Sequence, residues 1–513
     1  MARTTAVRLT GEDLTPADVW EVAVGGAGAE LDETARQKMA AARAVVERAL
    51  AKDGPTYGVT TGFGRLVSTP VPGELAEDLQ LRLLRSHACG VGEPYPDEIV
   101  RAAMLMRANT LAKGCSGARA EVAELLLDCL DRGVLPEVPS RGSVGASGDL
   151  APLAHLALPL VGEGRARVDG ELLSGADALA RADLRPVRLQ AKEGLSLVNG
   201  TQFMGAFAAL GLVRAWRLAR TADVACALSV DALQGSRQSF LPQIQELRPL
   251  RGQAASAANV LALLDGSSII EAHRWCDRVQ DAYSLRCAAQ VHGASRDLLD
   301  YVQYTTEVEL NSATDNPLVL IDEDTMLTNG NFHGQPLGFA LDALTMAVSE
   351  LASISERRTE RLVNPTLSEG LPAFLAPDGG LNSGFMIPQY VAASLVSENK
   401  ALCHPASVDS IPTSAGQEDH VAMGNASGLK AWQVLANAEL VLAIELLAGA
   451  QAVEFHAPLA PGVGGRTARE LVRSLSPRLR EDRPLADDIG AVAGAIRDGS
   501  VLAAVEGEAG ELG

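Results

Sequence analysis

Hydrophobic side chains recur at helical spacing along much of this 513-residue chain. From Met39 to Leu50 the apolar positions share one helical face, which predicts an amphipathic helix. The leucines from Leu75 to Leu83 repeat every four residues, and His87 extends their stripe before Gly90, which we expect to end the helix. The apolar positions from Leu341 to Ile354 form a near-heptad, the pattern of a long bundle helix.

Strand signals are scarce by comparison. Only Arg165–Leu172 and Pro317–Asp322 resemble short hairpin or edge strands. Glycine and proline instead cluster at 53–74, 133–152, 361–388 and 457–465, as expected of loops that carry chemistry on a helical scaffold. We therefore predict a mainly α fold with a long central helix bundle and active-site loops in a loop-rich N-terminal region. The predicted regions are 1–200 (N-terminal), 201–450 (central bundle) and 451–513 (C-terminal helical tail).

Composition favours helices and limits the kinds of partner that we expect the chain to bind. Hydrophobic residues make up 47% of the chain, aromatic residues only 4%, and the net charge is −20. Such acidity disfavours binding to nucleic acid or to an anionic membrane surface. The most apolar stretch, Ala431–Val453, contains Glu439 and Glu445, so we interpret it as a buried helix and not as a membrane span.

The cysteines and the N-terminus bear on localisation. Seven scattered cysteines without C-x-x-C spacing, Cys276 among them, indicate free thiols in a reducing compartment. Met1–Thr5 lacks the apolar core of a signal peptide. We expect a cytoplasmic protein.

The most informative segment is Gly145-Ala146-Ser147-Gly148-Asp149. The Gly148 amide nitrogen, unhindered by a Cβ, can attack the Ala146 carbonyl carbon, and loss of water then closes a five-membered ring. Dehydration of Ser147 leaves an exocyclic methylene, which makes the product a strong electrophile. The ordinary alternative is a turn followed by a helix N-cap.

Other segments leave their alternatives open. The glycine-rich loop from Tyr57 to Gly64 lacks the Lys-Ser/Thr ending of a P-loop, so it is either a surface loop or one that brings Tyr57 in as an acid or base. His87 on an apolar face is by itself more typical of a core residue than of a site. Asn199 precedes a glycine, where an exposed turn is the simple explanation, although its amide can also bind a carbonyl or carboxylate.

Two further segments offer charged side chains. Tyr283 and Arg286 are neighbours if 279–287 is helical, and Arg286 suits either a substrate carboxylate or an internal salt bridge. Gln417–His420 is a polar cluster without a partner at metal-ligand spacing, so we expect no metal there.

Taken together, these motifs resemble the aromatic amino acid ammonia-lyase and aminomutase family, from Tyr57 to His420. The segment 145–153, Gly-Ala-Ser-Gly-Asp-Leu-Ala-Pro-Leu, matches the family's prosthetic-group segment. Tyr-Gly-x-x-Thr-Gly-Phe-Gly at 57–64, Asn-Gly-Thr at 199–201, Gln-Asp-x-Tyr-Ser-x-Arg at 280–286 and Asp-Asn-Pro at 315–317 are similar too.

Two positions place the chain on the histidine-acting side of that family. Histidine-acting members carry Ser-His and Gln-Glu-Asp-His, as at 86–87 and 417–420. Glu418 is the more discriminating residue, because a carboxylate suits an imidazole donor and would lack a partner beside a benzyl ring. Ala415-Gly416 departs from the family's usual larger residue at the second position, which weakens the substrate assignment only.

The resemblance implies that L-histidine is converted to trans-urocanate and ammonia. Its cofactor would be a 4-methylidene-imidazol-5-one formed from Ala146, Ser147 and Gly148, without an external cofactor. It implies that Tyr57 abstracts the β-proton and that Arg286 binds the carboxylate, supported by Asn199 and Tyr283. The remaining implied contacts to substrate come from His87, Glu418, Gln280 and Phe332.

The resemblance also implies a homotetramer whose active sites are shared between subunits, and a small amino acid as substrate. Three alternatives stay open at this stage. They are a tyrosine or phenylalanine ammonia-lyase, an aromatic 2,3-aminomutase, and an inert helical scaffold with an unmodified Ala-Ser-Gly loop.

Overall fold

The computed structural model describes residues 6–51, 57–275 and 277–513. Met1–Thr5 and Cys276, on which two of the predictions above depend, lie outside the described residues. Helices dominate the fold. In chain order they are α1 (Pro16–Ala23), α2 (Glu33–Leu50), α3 (Ala76–His87), α4 (Asp97–Ala112), α5 (Ala120–Asp131), α6 (Leu150–Ala157), α7 (Gly175–Arg181), α8 (Glu193–Val198), α9 (Gln202–Ala232), α10 (Pro242–Glu246), α11 (Arg251–Leu263), α12 (Ser268–Ala272), α13 (Tyr283–Arg286), α14 (Ala288–Leu310), α15 (Gln335–Val363), α16 (Met386–Leu402), α17 (Gly424–Val453), α18 (Val463–Leu475), α19 (Ala486–Asp498) and α20 (Ser500–Ala509).

The strands are short and pair in small sheets. They are β1 (Val7–Leu9), β2 (Ala29–Leu31), β3 (Val91–Pro94), β4 (Leu135–Pro136), β5 (Pro139–Arg141), β6 (Arg165–Val168), β7 (Glu171–Ser174), β8 (Leu318–Leu320) and β9 (Thr325–Leu327). β1 and β2 are parallel, whereas β3–β5, β4–β6–β7 and β8–β9 are antiparallel.

The chain divides into two compact units, each built from separated stretches. Unit 1 contains residues 1–213, 302–342 and 405–429, and unit 2 contains 214–301, 343–404 and 430–513. These units group stretches that are distant in sequence. The three consecutive regions described above stay a prediction. All of the strands described here belong to unit 1.

The core of unit 2 consists of long helices whose buried charges are paired. Arg358 of α15 donates to both carboxylate oxygens of Glu445 of α17, at 2.5 and 2.8 Å. Asp223 of α9 accepts from Arg296 at 2.6 Å and contacts His292 at 2.7 Å, both on α14. Arg358 also contacts the His292 Nε2 at 3.3 Å, so these contacts join the unit 2 parts of α9, α14, α15 and α17 into one bundle core.

The predicted mainly α fold with long central helices is confirmed. α15 contains the predicted near-heptad, and the apolar residues of that repeat are buried, namely Leu341, Leu344, Val348, Leu351 and Ile354. α3 begins at Ala76 and ends at His87, three residues before the predicted stop at Gly90. Both predicted strand segments form antiparallel hairpins, β6–β7 and β8–β9.

By length and composition, two of the described helices are apolar enough to cross a membrane. In Gln335–Val363, 72% of the apolar window is buried inside the protein, and in Gly424–His456 the share is 83%. Such burial is typical of core helices. It agrees with the interpretation of Ala431–Val453 as a buried helix.

Candidate active site

The segment 145–149 is held between three other parts of unit 1, which are near residues 422 and 334 on its N-terminal side and near residue 200 on its C-terminal side. The Val144 carbonyl accepts from the amides of Ala422 and Met423, at 3.2 and 2.8 Å. The Gly145 carbonyl accepts from the Gly334 amide at 3.1 Å. Because loops that are distant in sequence fix both sides of this turn, its conformation is set by the folded unit and not by local preference.

Gly148 lies against Gly200 so closely that no side chain fits. Its φ is +74°, and a Cβ at this position would be 2.0 Å from the Gly200 carbonyl oxygen. The next amide, that of Asp149, donates to the same oxygen at 2.7 Å. Only glycine therefore satisfies both the backbone conformation and the space at position 148.

Asp149 is fully buried and joins the segment to two helices. It is the N-cap of α6, as the sequence suggested, but its carboxylate serves α9 instead. One oxygen accepts from the amides of Phe203 and Met204, both at 3.0 Å, and the other from the Ser143 hydroxyl at 2.8 Å. Burial raises the pKa of Asp149 to about 6, because these donors are neutral and offset the loss of water only in part.

Asn199 binds the middle residue of the segment. Its side-chain amide donates to the Ser147 carbonyl at 2.8 Å. Its own backbone carbonyl accepts from the buried Arg107 guanidinium at 2.8 Å. The Asn199 Oδ1 is buried and has no hydrogen-bond partner among the described residues. A buried acceptor without a donor is costly, which makes this atom a candidate acceptor for a bound group.

Glu418 contacts the Ser147 hydroxyl directly. The hydroxyl donates to Oε1 of Glu418 at 2.6 Å, and the Thr413 hydroxyl donates to Oε2 at 2.5 Å. Backbone bonds between Thr413 and Glu418, at 2.9 and 3.3 Å, close the loop between them. The carboxylate is therefore fixed beside the reactive segment.

Ser147 and Glu418 line a cavity of about 600 Å³, whereas Gly148 and Asn199 are not among its lining residues. Within the described part of the chain, its lining contains no arginine or lysine, so these described residues offer no side-chain cation with a fixed charge to a bound acid. The lining residues are Tyr57, Gly64, Val67, Ala146, Ser147, Asn316, Thr328, Asn329, Phe332, His333, Gln417, Glu418, Asp419 and His420.

Tyr57 lies on the cavity wall, and its surroundings favour the protonated phenol. Its hydroxyl oxygen accepts from the Gly64 amide at 3.3 Å, which closes the glycine-rich loop on itself. Burial raises the pKa of the Tyr57 phenol, and the negative charges of Glu418 and Asp315 raise it further, against the opposing effect of the Gly64 amide. Groups from unit 1 alone therefore do not favour its ionised form.

His87 ends α3 and is not among the residues that line the cavity. Its Nδ1 lies 2.9 Å from both the Leu83 carbonyl and the Ser86 hydroxyl. Because a carbonyl oxygen only accepts, the Leu83 contact favours a proton on Nδ1 when the ring is neutral. Burial lowers the pKa of His87, although the Leu83 carbonyl and the Glu418 charge oppose that shift. A neutral His87 with an accepting Nε2 is the form that these contacts favour.

The structure does not bring every predicted residue to this cavity. Gln280, Tyr283 and Arg286 belong to unit 2, and none of them lines the cavity. Tyr283 is 72% exposed, and the Arg286 guanidinium stacks 4.5 Å from the centre of its ring. Arg286 also donates to the Asp281 carbonyl at 3.0 Å. It forms no salt bridge among the described residues, so its charge is not neutralised by a carboxylate there.

Sequence reasoning missed residues that hold the site together. Thr413 and Ser143 were not singled out, although each supports a carboxylate. Arg107, fully buried in α4, was missed as well. Asn316 was included only as part of the Asp-Asn-Pro motif, and Asn329 was not singled out, although both lie on the cavity wall.

Comparison with known proteins places this site in a family. The model of the aromatic amino acid lyase family matches residues 14–474. A protein of Gloeobacter violaceus described as histidine ammonia-lyase is 54% identical, over 98% of both chains. One of Sorangium cellulosum with the same description is 51% identical, over 98% of this chain and all of that one.

Solved structures agree with these relatives. The histidine ammonia-lyase of Trypanosoma cruzi has a TM-score of 0.91 and 44% identity, covering 98% of this chain and 95% of that one. The tyrosine aminomutase of Streptomyces globisporus has a TM-score of 0.93 and 38% identity, covering 98% and 99%. The predicted family is confirmed: this chain belongs to the aromatic amino acid lyases.

Proposed function

We propose that this enzyme eliminates ammonia from L-histidine to give trans-urocanate. The observation that carries the proposal is the Glu418 carboxylate on the cavity wall, 2.6 Å from the Ser147 hydroxyl. An imidazole N–H can donate to a carboxylate, whereas a phenyl ring offers it nothing. Relatives that are more than half identical over nearly the whole chain and described as histidine ammonia-lyases support the same substrate.

We propose further that residues 146–148 cyclise to a methylidene-imidazolone. The Gly148 nitrogen bonds to the Ala146 carbonyl carbon with loss of one water, and Ser147 then loses a second. Three observations fit such a group: the turn is clamped on both sides, Gly148 has no room for a Cβ, and Asn199 donates to the Ser147 carbonyl. An electrophilic methylene supplies covalent activation of a substrate amine, which otherwise leaves poorly.

Tyr57 is the proposed base for the β-proton. Its position on the same cavity wall as Ser147 supports this role. Because burial raises the pKa of Tyr57, a positive charge near the phenol is needed to favour its ionised form. We propose that Arg286 of another subunit supplies this positive charge and also binds the substrate carboxylate.

The ring of the substrate is proposed to lie between His87 and Glu418, against Phe332. With the His87 Nδ1 committed to the Leu83 carbonyl, Nε2 is free to accept from an imidazole N–H. Glu418 accepts from the other ring nitrogen, so each group recognises one end of the imidazole. Phe332 adds an apolar contact from the cavity wall.

We propose that the remaining contacts come from a second copy of the chain. The cavity lining has no arginine or lysine in the described unit 1, while unit 2 presents an exposed Tyr283 beside an Arg286 without a carboxylate partner. We propose that Gln280, Tyr283 and Arg286 of one subunit complete the cavity of another, in a homotetramer. We propose the cytoplasm as its location, where the six described cysteines, all free thiols, would stay reduced.

A side-by-side assay tests the proposed substrate. The purified protein is given L-histidine, L-tyrosine and L-phenylalanine, and urocanate, coumarate, cinnamate and β-amino acids are quantified. We expect urocanate as the main product by a wide margin. Preferential turnover of tyrosine would instead identify a tyrosine ammonia-lyase. β-Amino acid products would identify an aminomutase, the class to which the structurally similar Streptomyces globisporus enzyme belongs.

Intact mass tests the proposed cofactor without any substrate. A matured chain is lighter than its sequence by two waters. An unmodified mass in active protein would exclude the cyclised group.

A further inference from the structure

One contact of Glu418 is not needed for binding the substrate. Its Oε1 accepts from the Ser147 hydroxyl, which is the group that departs during cofactor formation. The second oxygen is held by Thr413, and the backbone pair between residues 413 and 418 fixes the loop. The carboxylate therefore meets the leaving oxygen in a fixed geometry before any substrate is present.

Departure of this hydroxyl requires proton transfer at two atoms. Hydroxide is a poor leaving group, so the Ser147 Oγ must gain a proton, and the Ser147 Cα must lose one for the double bond to form. The other titratable groups on the cavity wall are Tyr57, His333, Asp419 and His420. None of these four has a hydrogen bond to Ser147 in the described chain, whereas Glu418 does.

We propose that Glu418 is the proton-transfer residue for dehydration of Ser147, an inference that rests on the cyclisation proposed above. After ring closure, the Glu418 carboxylate takes the Cα proton of Ser147 and passes a proton to Oγ. The Cα–H electron pair becomes the new Cα–Cβ double bond as the Cβ–Oγ bond breaks. One water leaves, Glu418 returns to its carboxylate form, and no further reagent is consumed.

The test is the mass of the intact full-length chain followed over time after synthesis in a cell-free system. The wild type is expected to lose two waters. Glu418→Gln keeps the shape of the side chain but cannot take the Cα proton. We expect its second water to be lost about 10²-fold or more slowly, the usual scale of general acid–base catalysis. Asp419→Asn is the matched control, because it removes the adjacent carboxylate that does not touch Ser147, and it should lose both waters at the wild-type rate.

Each outcome decides a separate point. If the wild type itself keeps its full mass, the proposed cofactor fails. If the wild type loses two waters and Glu418→Gln does so at the same rate, the role of Glu418 in dehydration is overturned, while the proposed function stands. A Glu418→Gln variant that unfolds at the wild-type temperature but retains its second water supports the proposal. Should that variant aggregate, Glu418→Asp, which retains a carboxylate on a shorter side chain, is expected to dehydrate slowly, and the wild-type rate there would overturn the proposal.

Discussion

Two fully buried aspartates, Asp149 in unit 1 and Asp223 in unit 2, differ in pKa because their partners differ. Burial raises the pKa of both. At Asp223 the cationic Arg296 and the His292 ring outweigh burial and hold the pKa at about 2. At Asp149 the donors are a hydroxyl and two amides, and the pKa rises to about 6.

The contrast extends to the surroundings of each aspartate. In unit 2, bidentate pairing also fixes Arg358 to Glu445, so charge serves the packing of long helices. Around residues 145–149, the carboxylates of Asp149 and Glu418 accept from neutral donors. Glu418 contacts the Ser147 hydroxyl, which we propose is lost during cofactor formation. Removing one partner of a buried ion pair leaves an uncompensated charge in the core, whereas a carboxylate without a cation remains available for proton transfer.

The largest expected effect comes from Ser147→Ala. This change removes the hydroxyl whose loss forms the electrophile, so turnover should fall by about 10⁴-fold or more, a scale typical of losing a covalent catalytic group. Unfolding in denaturant should stay close to that of the wild type. Assay and denaturation measured on the same preparation test this separation, and wild-type turnover in the variant would contradict the proposed chemistry.

Tyr57→Phe should reduce turnover by about 10²- to 10⁴-fold, because it removes the proposed base. The loss of two waters should persist, which distinguishes catalysis from maturation. Because the proposed base is the ionised phenolate, the active form grows as pH increases toward the Tyr57 pKa, which burial raises. We therefore expect kcat/KM of the wild type to rise with pH, by up to about tenfold per unit. A flat profile in the wild type would argue against Tyr57 as the base.

Arg358→Met tests the paired buried charges of unit 2. It leaves Glu445 buried without its cation, which should lower the free energy of unfolding by about 3–5 kcal/mol. Folded variant should still lose two waters, because Arg358 is not part of the proposed site. Denaturant unfolding together with intact mass checks both parts, and a variant as stable as the wild type would show that this pair does not support the core.

The smallest expected effect is a change in pH dependence with Asp149→Asn. The pKa of Asp149 is raised in the folded state, so the native protein favours its protonated form, and this contribution to stability is lost as pH rises through about 6. The side-chain amide that replaces the carboxyl stays uncharged at both pH values. Relative to the wild type, the variant should therefore gain about 2 kcal/mol between pH 4 and pH 7. Unfolding curves at the two pH values measure this difference, and an unchanged difference would contradict the raised pKa.

Much of the fold could be predicted from periodicity, because burial and helix geometry leave a local record in the sequence. The stripe from Leu341 to Ile354 is an example, and so are the two hairpins. The end of α3 at His87 was missed, since Gly90 is the stronger stop signal but the chain already leaves helical geometry at Ala88.

The site could be predicted only in part. Ser147 and Glu418 were found through motifs, but their contact joins residues 271 apart, and no local pattern encodes it. Likewise, Asp149 accepts from amides of α9 that lie 54 and 55 positions later. Such long-range bonds depend on how loops meet in the folded unit, which periodicity and residue type do not specify.

The tight approach of Gly148 to Gly200 has a consequence for the timing of synthesis. Residues 145–148 acquire their clamped shape only after segments near 200, 334 and 422 have been made and have assembled around them. A nascent or misfolded chain would therefore carry an ordinary, unreactive tripeptide, and the cell would be spared a free electrophile. The two missing waters would then serve as a permanent record, in each molecule, that this half of the protein had once folded correctly.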